Sequence, residues 1–175
     1  MIHSFSTIAR EFQPIATDII AVVAVSNFFN ARSLWKQSNR PIVSALVETN
    51  SSGNIATFFD ITVINSGNRP AINIELEIDD YTEFKNCIKT ENNESIEDII
   101  RCFDKNSVIP LLINGKTTTN SFGLTSVKKE QNFWNYGSNF SITIKYRDLE
   151  GNRYKSKLTL YIKDSSAFAG GSWID

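Results

Sequence analysis

Few side chains in this sequence are of the types that usually catalyse reactions. The only histidine is His3, close to the N-terminus, so Ser–His–Asp and Cys–His arrangements and histidine-centred metal sites lack a well-placed base or ligand. The neighbouring carboxylates Asp79 and Asp80, and likewise Glu97 and Asp98, could act as an acid and a base. Such pairs are also ordinary in exposed loops and in the first turns of helices. No glycine-rich nucleotide-binding motif occurs. We therefore predict no catalytic residues, no cofactor and a non-enzymatic protein.

Asp79, Asp80 and Glu83 form the one group of carboxylates dense enough to suggest a calcium site. Their spacing fits no EF-hand loop, which needs ligands at alternate positions and a closing glutamate. We expect a solvated loop at the end of a strand and no metal.

The cysteines and the charge balance argue against a disulfide-stabilised protein and against a nucleic-acid-binding protein. Cys87 and Cys102 are not in a CxxC spacing, and a chain of 175 residues is large enough to fold without a disulfide. We therefore predict two reduced, buried thiols. A net charge of −1 gives no long-range positive field, and a nucleic-acid partner is not expected. No motif indicates a small-molecule substrate.

The clearest structural pattern lies in residues 57–64 and 72–78, two runs whose apolar side chains alternate with others. Period 2 is typical of half-buried antiparallel strands. Residues 65–70 between them, Asn-Ser-Gly-Asn-Arg-Pro, favour a turn. These runs and the later strands predict a core that includes Phe59, Ile61, Val63, Ile74, Leu76, Ile142, Ile144 and Leu160.

Further strands are predicted at residues 42–48, 108–113, 121–127, 140–146 and 154–162. Asn114 with Gly115, and residues 148–152, predict two hairpin turns. Before the strand at residues 108–113, Ser95 is placed to cap a short helix. This helix would pack through an apolar stripe of Ile96, Ile99, Ile100 and Phe103. About seven strands with one short helical insertion predict a mainly β protein, an antiparallel β-sandwich.

The N-terminal segment predicts an α-helix that is apolar nearly all round. Residues 15–29 are mostly apolar, Pro14 suits a first helical turn, and Arg32 and Lys36 suit the last. One sandwich face could not hide its large side chains, so they should meet lipid or protein. These side chains are Ile19, Ile20, Val22, Val23, Val25, Phe28 and Phe29.

Three settings for this helix stay open: a membrane anchor, a helix buried against copies of itself or a partner, and a helix folded onto its own domain. The run is shorter than the roughly 20 residues of a spanning helix, and it contains Asp18. If it does span, Arg32, Lys36 and Arg40 after the run place the β domain on the cytoplasmic side of the inner membrane. Otherwise the protein is cytoplasmic.

Two passages support a family resemblance. Residues 62–74 give a strand, Asn-x-Gly, Pro-Ala and a second strand, and residues 142–148 are followed by Gly-Asn-Arg-Tyr at 151–154. These passages resemble bacterial immunoglobulin-like sandwich modules, including those of adhesion-type repeats. The whole arrangement, an apolar helix, a basic linker ending in Arg-Pro and a sandwich, is similar to small uncharacterised membrane-anchored bacterial proteins. The resemblance implies a binding or scaffold module.

The sequence therefore predicts three parts: helix and basic linker at residues 1–40, a β-sandwich domain at 41–164 and a flexible tail at 165–175. The tail carries Phe168 and Trp173, aromatic side chains of the kind that dominate binding hot spots. We predict that the helix attaches the protein to a membrane and that the sandwich binds a partner protein. The alternative is a soluble subunit that assembles through the helix into a homo-oligomer or a larger complex.

Overall fold

The computed structural model describes residues 2–90, 93–128 and 132–163, with side chains described at 18–90, 96–128 and 132–163. The chain divides into two compact units, Met1–Asn39 and Arg40–Asp175, here called the helical unit and the β-strand unit. The predicted tail contacts Phe168 and Trp173 lie outside the described residues.

The helical unit is one long α-helix, α1 (Ile2–Ser38). At its end, the backbone N–H and the side-chain amide of Asn39 both donate to the Trp35 carbonyl, at 2.9 and 3.0 Å, and so satisfy an acceptor that the helix leaves open. The expectation that Pro14 lies in the first turn is wrong, because α1 begins twelve residues earlier. Pro14 therefore lies in the helix interior, where its nitrogen donates no hydrogen bond.

The β-strand unit is mainly β, and its described residues form seven strands and three short helical segments. All three helical segments lie between the third and fourth strands, whereas the sequence predicted one. In chain order the elements are β1 (Val43–Ser52), β2 (Ala56–Asn65), β3 (Ala71–Ile78), α2 (Tyr81–Cys87), α3 (Asn93–Ile100), a 3-10 turn (Arg101–Phe103), β4 (Ile109–Leu112), β5 (Thr117–Ser126), β6 (Asn139–Arg147) and β7 (Arg153–Tyr161).

The strands form two antiparallel sheets. One has three strands in the order β1-β2-β5 and the other has four in the order β4-β3-β6-β7. Buried side chains of both sheets belong to a single hydrophobic cluster. All eight predicted core residues are at most 5% exposed, so the predicted core is confirmed.

Aromatic rings fill one part of this core. Trp134 is 1% exposed and packs against Phe122, with ring centroids 4.9 Å apart, and against Phe84 at 5.9 Å. Its indole N–H donates to the Phe122 carbonyl, so the one polar atom of the ring is satisfied inside the core. Gly123 follows Phe122 at a φ of 79°, and a Cβ there would lie 3.0 Å from the Trp134 indole nitrogen.

The predicted turn after β2 is organised by Asn65, which is fully buried. Its side-chain oxygen accepts from the Ile42 and Gly67 amides at 3.2 and 3.1 Å, and its NH₂ donates to the carbonyls of Arg69 and Leu112 at 2.7 and 3.0 Å. One side chain thereby connects three chain segments: the start of β1, its own turn and the end of β4. A Cβ at Gly67 would lie 2.4 Å from the Arg40 carbonyl oxygen, so this position requires glycine.

The hairpin predicted at Asn114 and Gly115 is wrong. The turn exists, with Gly115 at a φ of 70°, but β4 before it pairs with β3 and β5 after it pairs with β2. The turn therefore carries the chain from one sheet to the other. The Asn65 backbone holds it, since the Gly115 amide donates to Asn65 O at 2.8 Å and the Asn65 amide to Lys116 O at 3.1 Å.

The final predicted hairpin is confirmed, because β6 and β7 pair along their whole lengths. Asp148 closes it as a buried residue, 2% exposed. Its carboxylate accepts from the Glu150 and Asn152 amides, the Asn152 side chain and the Tyr154 hydroxyl, at 2.8 to 3.0 Å. Burial raises the pKa of this carboxyl, but the hydrogen bonds outweigh burial and hold the pKa below its ordinary value.

The loop predicted around Asp79, Asp80 and Glu83 is present at Asp79 and Asp80 but not at Glu83, which lies in α2. Asp80 caps α2, accepting from the Thr82 amide at 2.7 Å, and Phe84 and Cys87 form the buried face. A seven-residue helix with two buried side chains gives too short a pattern to be distinguished from a loop.

The second predicted helix is present, and its stripe packs on the core as expected. Ile99 and Phe103 are buried, and Ile96 and Ile100 are half-buried against the core. The helix begins at Asn93, so Ser95 lies inside it and the predicted cap position was wrong.

Candidate functional site

The apolar surface of α1 is the most unusual exposed feature of the described chain. Its seven predicted contact residues are between 52% and 69% exposed: Ile19, Ile20, Val22, Val23, Val25, Phe28 and Phe29. At 100° per residue these positions are distributed around the entire helix circumference rather than along one stripe. We call this set the α1 apolar band.

Beyond the band, Leu34 and Trp35 near the helix end are also exposed, at 65% and 55%. Phe28 and Phe29 contact each other edge to face, with centroids 5.8 Å apart. Polar positions interrupt the band at Ser26 and Asn27, both exposed. In the part of the chain that the structure describes, no helix is long and apolar enough to cross a membrane.

A second candidate is a groove in the β-strand unit between the outer strands β4 and β5. It encloses about 290 Å³, with the buried side chains of Ile61, Val63 and Leu76 at its floor. Cys102 and Asn120 line its rim. The outer strands on the other side, β1 and β7, contact each other. The opening toward the core therefore lies between β4 and β5.

The thiol in this groove is held in its protonated form. The Asn120 amide donates to the Cys102 sulfur at 3.0 Å, but burial dominates and raises the pKa of the Cys102 thiol. Since the thiolate is the nucleophile, Cys102 is poorly suited to covalent chemistry. Sequence reasoning missed this groove because its rim joins Cys102 of the 3-10 turn with Asn120 of β5, residues that only the fold brings together.

Both cysteines are free thiols, as predicted. Cys87 is buried and donates to the carbonyls of Glu83 and Asn139, each at 3.2 Å. Burial also raises the pKa of its thiol. Cys102 differs from the prediction in being only half-buried.

The carboxylates considered for acid–base chemistry have separate structural partners. Asp79 accepts from the Thr143 hydroxyl at 2.6 Å and pairs with Lys157 at 3.1 Å. The Thr143 hydrogen bond makes the largest contribution to lowering the pKa of Asp79. Asp98 pairs with Arg101 at 3.2 Å on the surface. Each contact stabilises a local element, and none places a proton donor opposite an acceptor across a cavity.

Comparisons with known proteins add a family but no activity. No curated protein matches the chain. Residues 6–166 match the model of DUF8453, a domain of unknown function. Because the match includes most of α1 and all seven strands, the chain belongs to the DUF8453 family.

Proposed function

We propose that the protein is a non-enzymatic binding or scaffold protein, with α1 attaching it to the cytoplasmic face of a membrane and the β-strand unit binding a partner protein. The α1 apolar band carries this proposal. Full burial of one Val, Leu, Ile or Phe side chain is worth about 1.5–3 kcal/mol, so seven such side chains left in water oppose a free, monomeric helix. Exposed apolar surface of this extent is characteristic of interaction sites.

The basic residues after the band support the orientation. Arg32, Lys36 and Arg40 follow it, whereas Asp18 stands at its beginning. Positive residues are enriched on the cytoplasmic side of membrane segments. The β-strand unit, which comes after these residues, is then cytoplasmic, where free thiols persist.

The strand order supports an immunoglobulin-like sandwich for the β-strand unit. With the seven strands lettered A to G in chain order, the sheets are A-B-E and D-C-F-G. Immunoglobulin constant domains have A-B-E-D and C-F-G, so only the short fourth strand changes sheet. Sandwiches of this kind commonly serve as binding modules at cell surfaces, and Phe168 and Trp173 in the tail remain proposed partner contacts.

A second candidate function is a soluble assembly subunit, in which α1 packs on copies of itself or on another protein. The polar residues Asp18, Asn27 and Asn30 favour it, since all three are exposed on α1. An acidic residue near a bilayer centre costs about 2.5–3.5 kcal/mol on insertion scales. A protein partner could instead supply a cation for Asp18.

The experiment compares the full chain with two matched double variants. Ile20→Ser with Phe29→Ser removes part of the α1 apolar band. Ile55→Ser with Phe58→Ser removes the same residue types from exposed sites of the β-strand unit, 63% and 47% exposed. We expect the first variant to leave the carbonate-washed membrane fraction and the second to stay with it.

Asp18→Leu separates the two candidates. It should strengthen membrane retention if α1 enters lipid, and weaken assembly if Asp18 pairs with a partner cation. A defined oligomer recovered without detergent supports the second candidate. A full-length chain that sediments as a soluble monomer contradicts both.

A further inference from the structure

The outer face of the four-stranded sheet carries like charges directly opposite one another. In the β6–β7 register Lys145 faces Lys155 and Arg147 faces Arg153, and all four side chains are exposed. Directly opposed side chains in antiparallel strands have Cβ atoms about 4.5–5.5 Å apart. Like charges at this spacing destabilise a sheet. On an edge strand such as β7 they also hinder pairing with another chain.

The neighbouring strand β3 neutralises only part of this charge. Glu77 pairs with Lys145 at 2.5 Å, and Asp79 at the strand end pairs with Lys157 at 3.1 Å. Among the described residues, no carboxylate lies within ion-pair distance of Arg147, Arg153 or Lys155. Three cations are therefore left close together on one face.

These cations line a depression shaped by an irregularity in β3. The pairing of β3 with β6 shifts between Ile72 and Glu75, and Asn73 within that shift has a φ of 50°, the only positive φ among the non-glycine residues that the structure describes. The depression encloses about 370 Å³, and its polar lining consists of Asn73, the cations Lys145, Arg147, Arg153 and Lys155, and one carboxylate, Glu75. Bulges and positive-φ residues of this kind are over-represented at functional sites.

The two strands under the depression are joined on the opposite face of the sheet. Tyr146 and Tyr154 alternate with the cations along β6 and β7, so their rings lie on the core side. These rings stack with centroids 5.6 Å apart and planes 18° apart. The Tyr154 hydroxyl donates to Asp148 at 2.9 Å, and the Tyr146 hydroxyl lies 3.2 Å from Ser156 Oγ.

We propose that this depression binds a phosphate monoester. Guanidinium groups match phosphate oxygens with two parallel hydrogen bonds each, and strand register places Arg147 directly opposite Arg153 on one face of the sheet, so one anion can contact both. A phosphate monoester carries nearly two negative charges, which three cations neutralise better than they would a single carboxylate. Asn73 presents an amide that can bond an ester or hydroxyl oxygen.

The same phosphate chemistry has two sources, a lipid headgroup and a soluble phosphorylated molecule. The proposal concerns the β-strand unit alone and does not depend on what α1 contacts. It extends the proposed binding role to a named ligand class, and its failure would leave the membrane and assembly tests of α1 unaffected.

The test uses the full chain in detergent and two triple variants. Arg147→Gln with Arg153→Gln and Lys155→Gln removes the three cations, while Lys105→Gln with Lys116→Gln and Lys128→Gln removes three exposed lysines elsewhere. Glycerol 3-phosphate is titrated by calorimetry at constant ionic strength. Mixed micelles of the same detergent with phosphatidylcholine or with phosphatidic acid are titrated in the same way.

We expect the first triple variant to bind glycerol 3-phosphate at least about tenfold more weakly than the unmodified chain, because charge-assisted hydrogen bonds are lost. The lysine control should bind as the unmodified chain does. A difference between the two triple variants that appears only with the phosphatidic acid micelles assigns the site to a lipid headgroup. The proposal is overturned if the two triple variants behave alike in both assays, with or without binding.

A backbone variant provides an independent readout. Asn73→Gly keeps access to positive φ, whereas Asn73→Val disfavours it. If the irregular β3 backbone shapes the site, Asn73→Val should weaken binding more than Asn73→Gly does. Equal affinities for the two variants would show that the irregular β3 backbone does not shape the site.

Discussion

Trp35 in the helical unit and Trp134 in the β-strand unit show how differently the two units use the same residue type. Trp35 is 55% exposed, whereas Trp134 is 1% exposed and donates its N–H to the core. The contrast extends to polar residues, since Asn30 and Asp18 are exposed on α1 while Asn65 and Asp148 are buried. The β-strand unit therefore buries these side chains and satisfies their polar atoms, whereas the corresponding side chains of the helical unit are exposed.

The largest expected effect sharpens this contrast through the two tryptophans. Trp134→Ala should lower the free energy of unfolding of the β-strand unit by about 3–5 kcal/mol, because it leaves a cavity among packed rings. Trp35→Ala should leave that free energy unchanged. Urea unfolding followed by circular dichroism measures both. Equal losses for the two variants would mean that the helical unit also contributes to folding stability.

The second effect concerns the buried asparagine. Asn65→Ala should cost about 1–3 kcal/mol, because buried backbone groups such as the Gly67 amide lose their hydrogen-bond partner. Asn30→Ala on α1 is the matched control and should leave unfolding of the β-strand unit unchanged. Asn65→Asp keeps the acceptor but not the donors, so its unfolding midpoint should still fall. An unaltered midpoint for Asn65→Ala would show that water replaces the whole network.

The smallest effect is a pH dependence. The folded pKa of Asp148 lies below its ordinary value of 3.8, so its contribution is present above that value and is lost as pH falls through the folded pKa. Asp148→Asn should therefore flatten the acid side of the stability profile, measured by urea midpoints from neutral pH to below about pH 4. Part of the pH dependence of stability should remain in this variant, because the pKa of Asp79 is also lowered. Asp18→Asn should reproduce the slope of the unmodified chain.

The sequence predicted the parts of the β-strand unit that depend on local alternation. Ile74 and Leu76 are buried as expected, because period 2 fixes which face of a strand meets the core. The Asn114–Gly115 turn was recognised as a turn but not as a crossing between sheets. A turn is determined by two to four neighbouring residues. The sheet that β4 or β5 joins depends instead on the distant strands with which it pairs.

The candidate sites differ in the same way, since one depends on neighbouring residues and the other on strand pairing. The α1 apolar band is a property of neighbouring residues and is visible in the sequence. The phosphate site joins Arg147, Arg153 and Lys155 through strand register, with Asn73 added by an irregularity of β3. A net charge of −1 conceals this local excess of positive charge.

The strand order has a consequence for the chain while it is being made. β2 is the central strand of its sheet, but its second partner, β5, ends about 60 residues after β2 does. At roughly 5–20 residues per second, a ribosome takes about 3–12 seconds to complete that partner. During this interval β2 has one unpaired edge, and its inward face, with Phe59 and Ile61, lacks the opposite sheet. A nascent chain of this protein therefore passes through a period in which aggregation competes with folding, and chaperone binding would have its greatest value then.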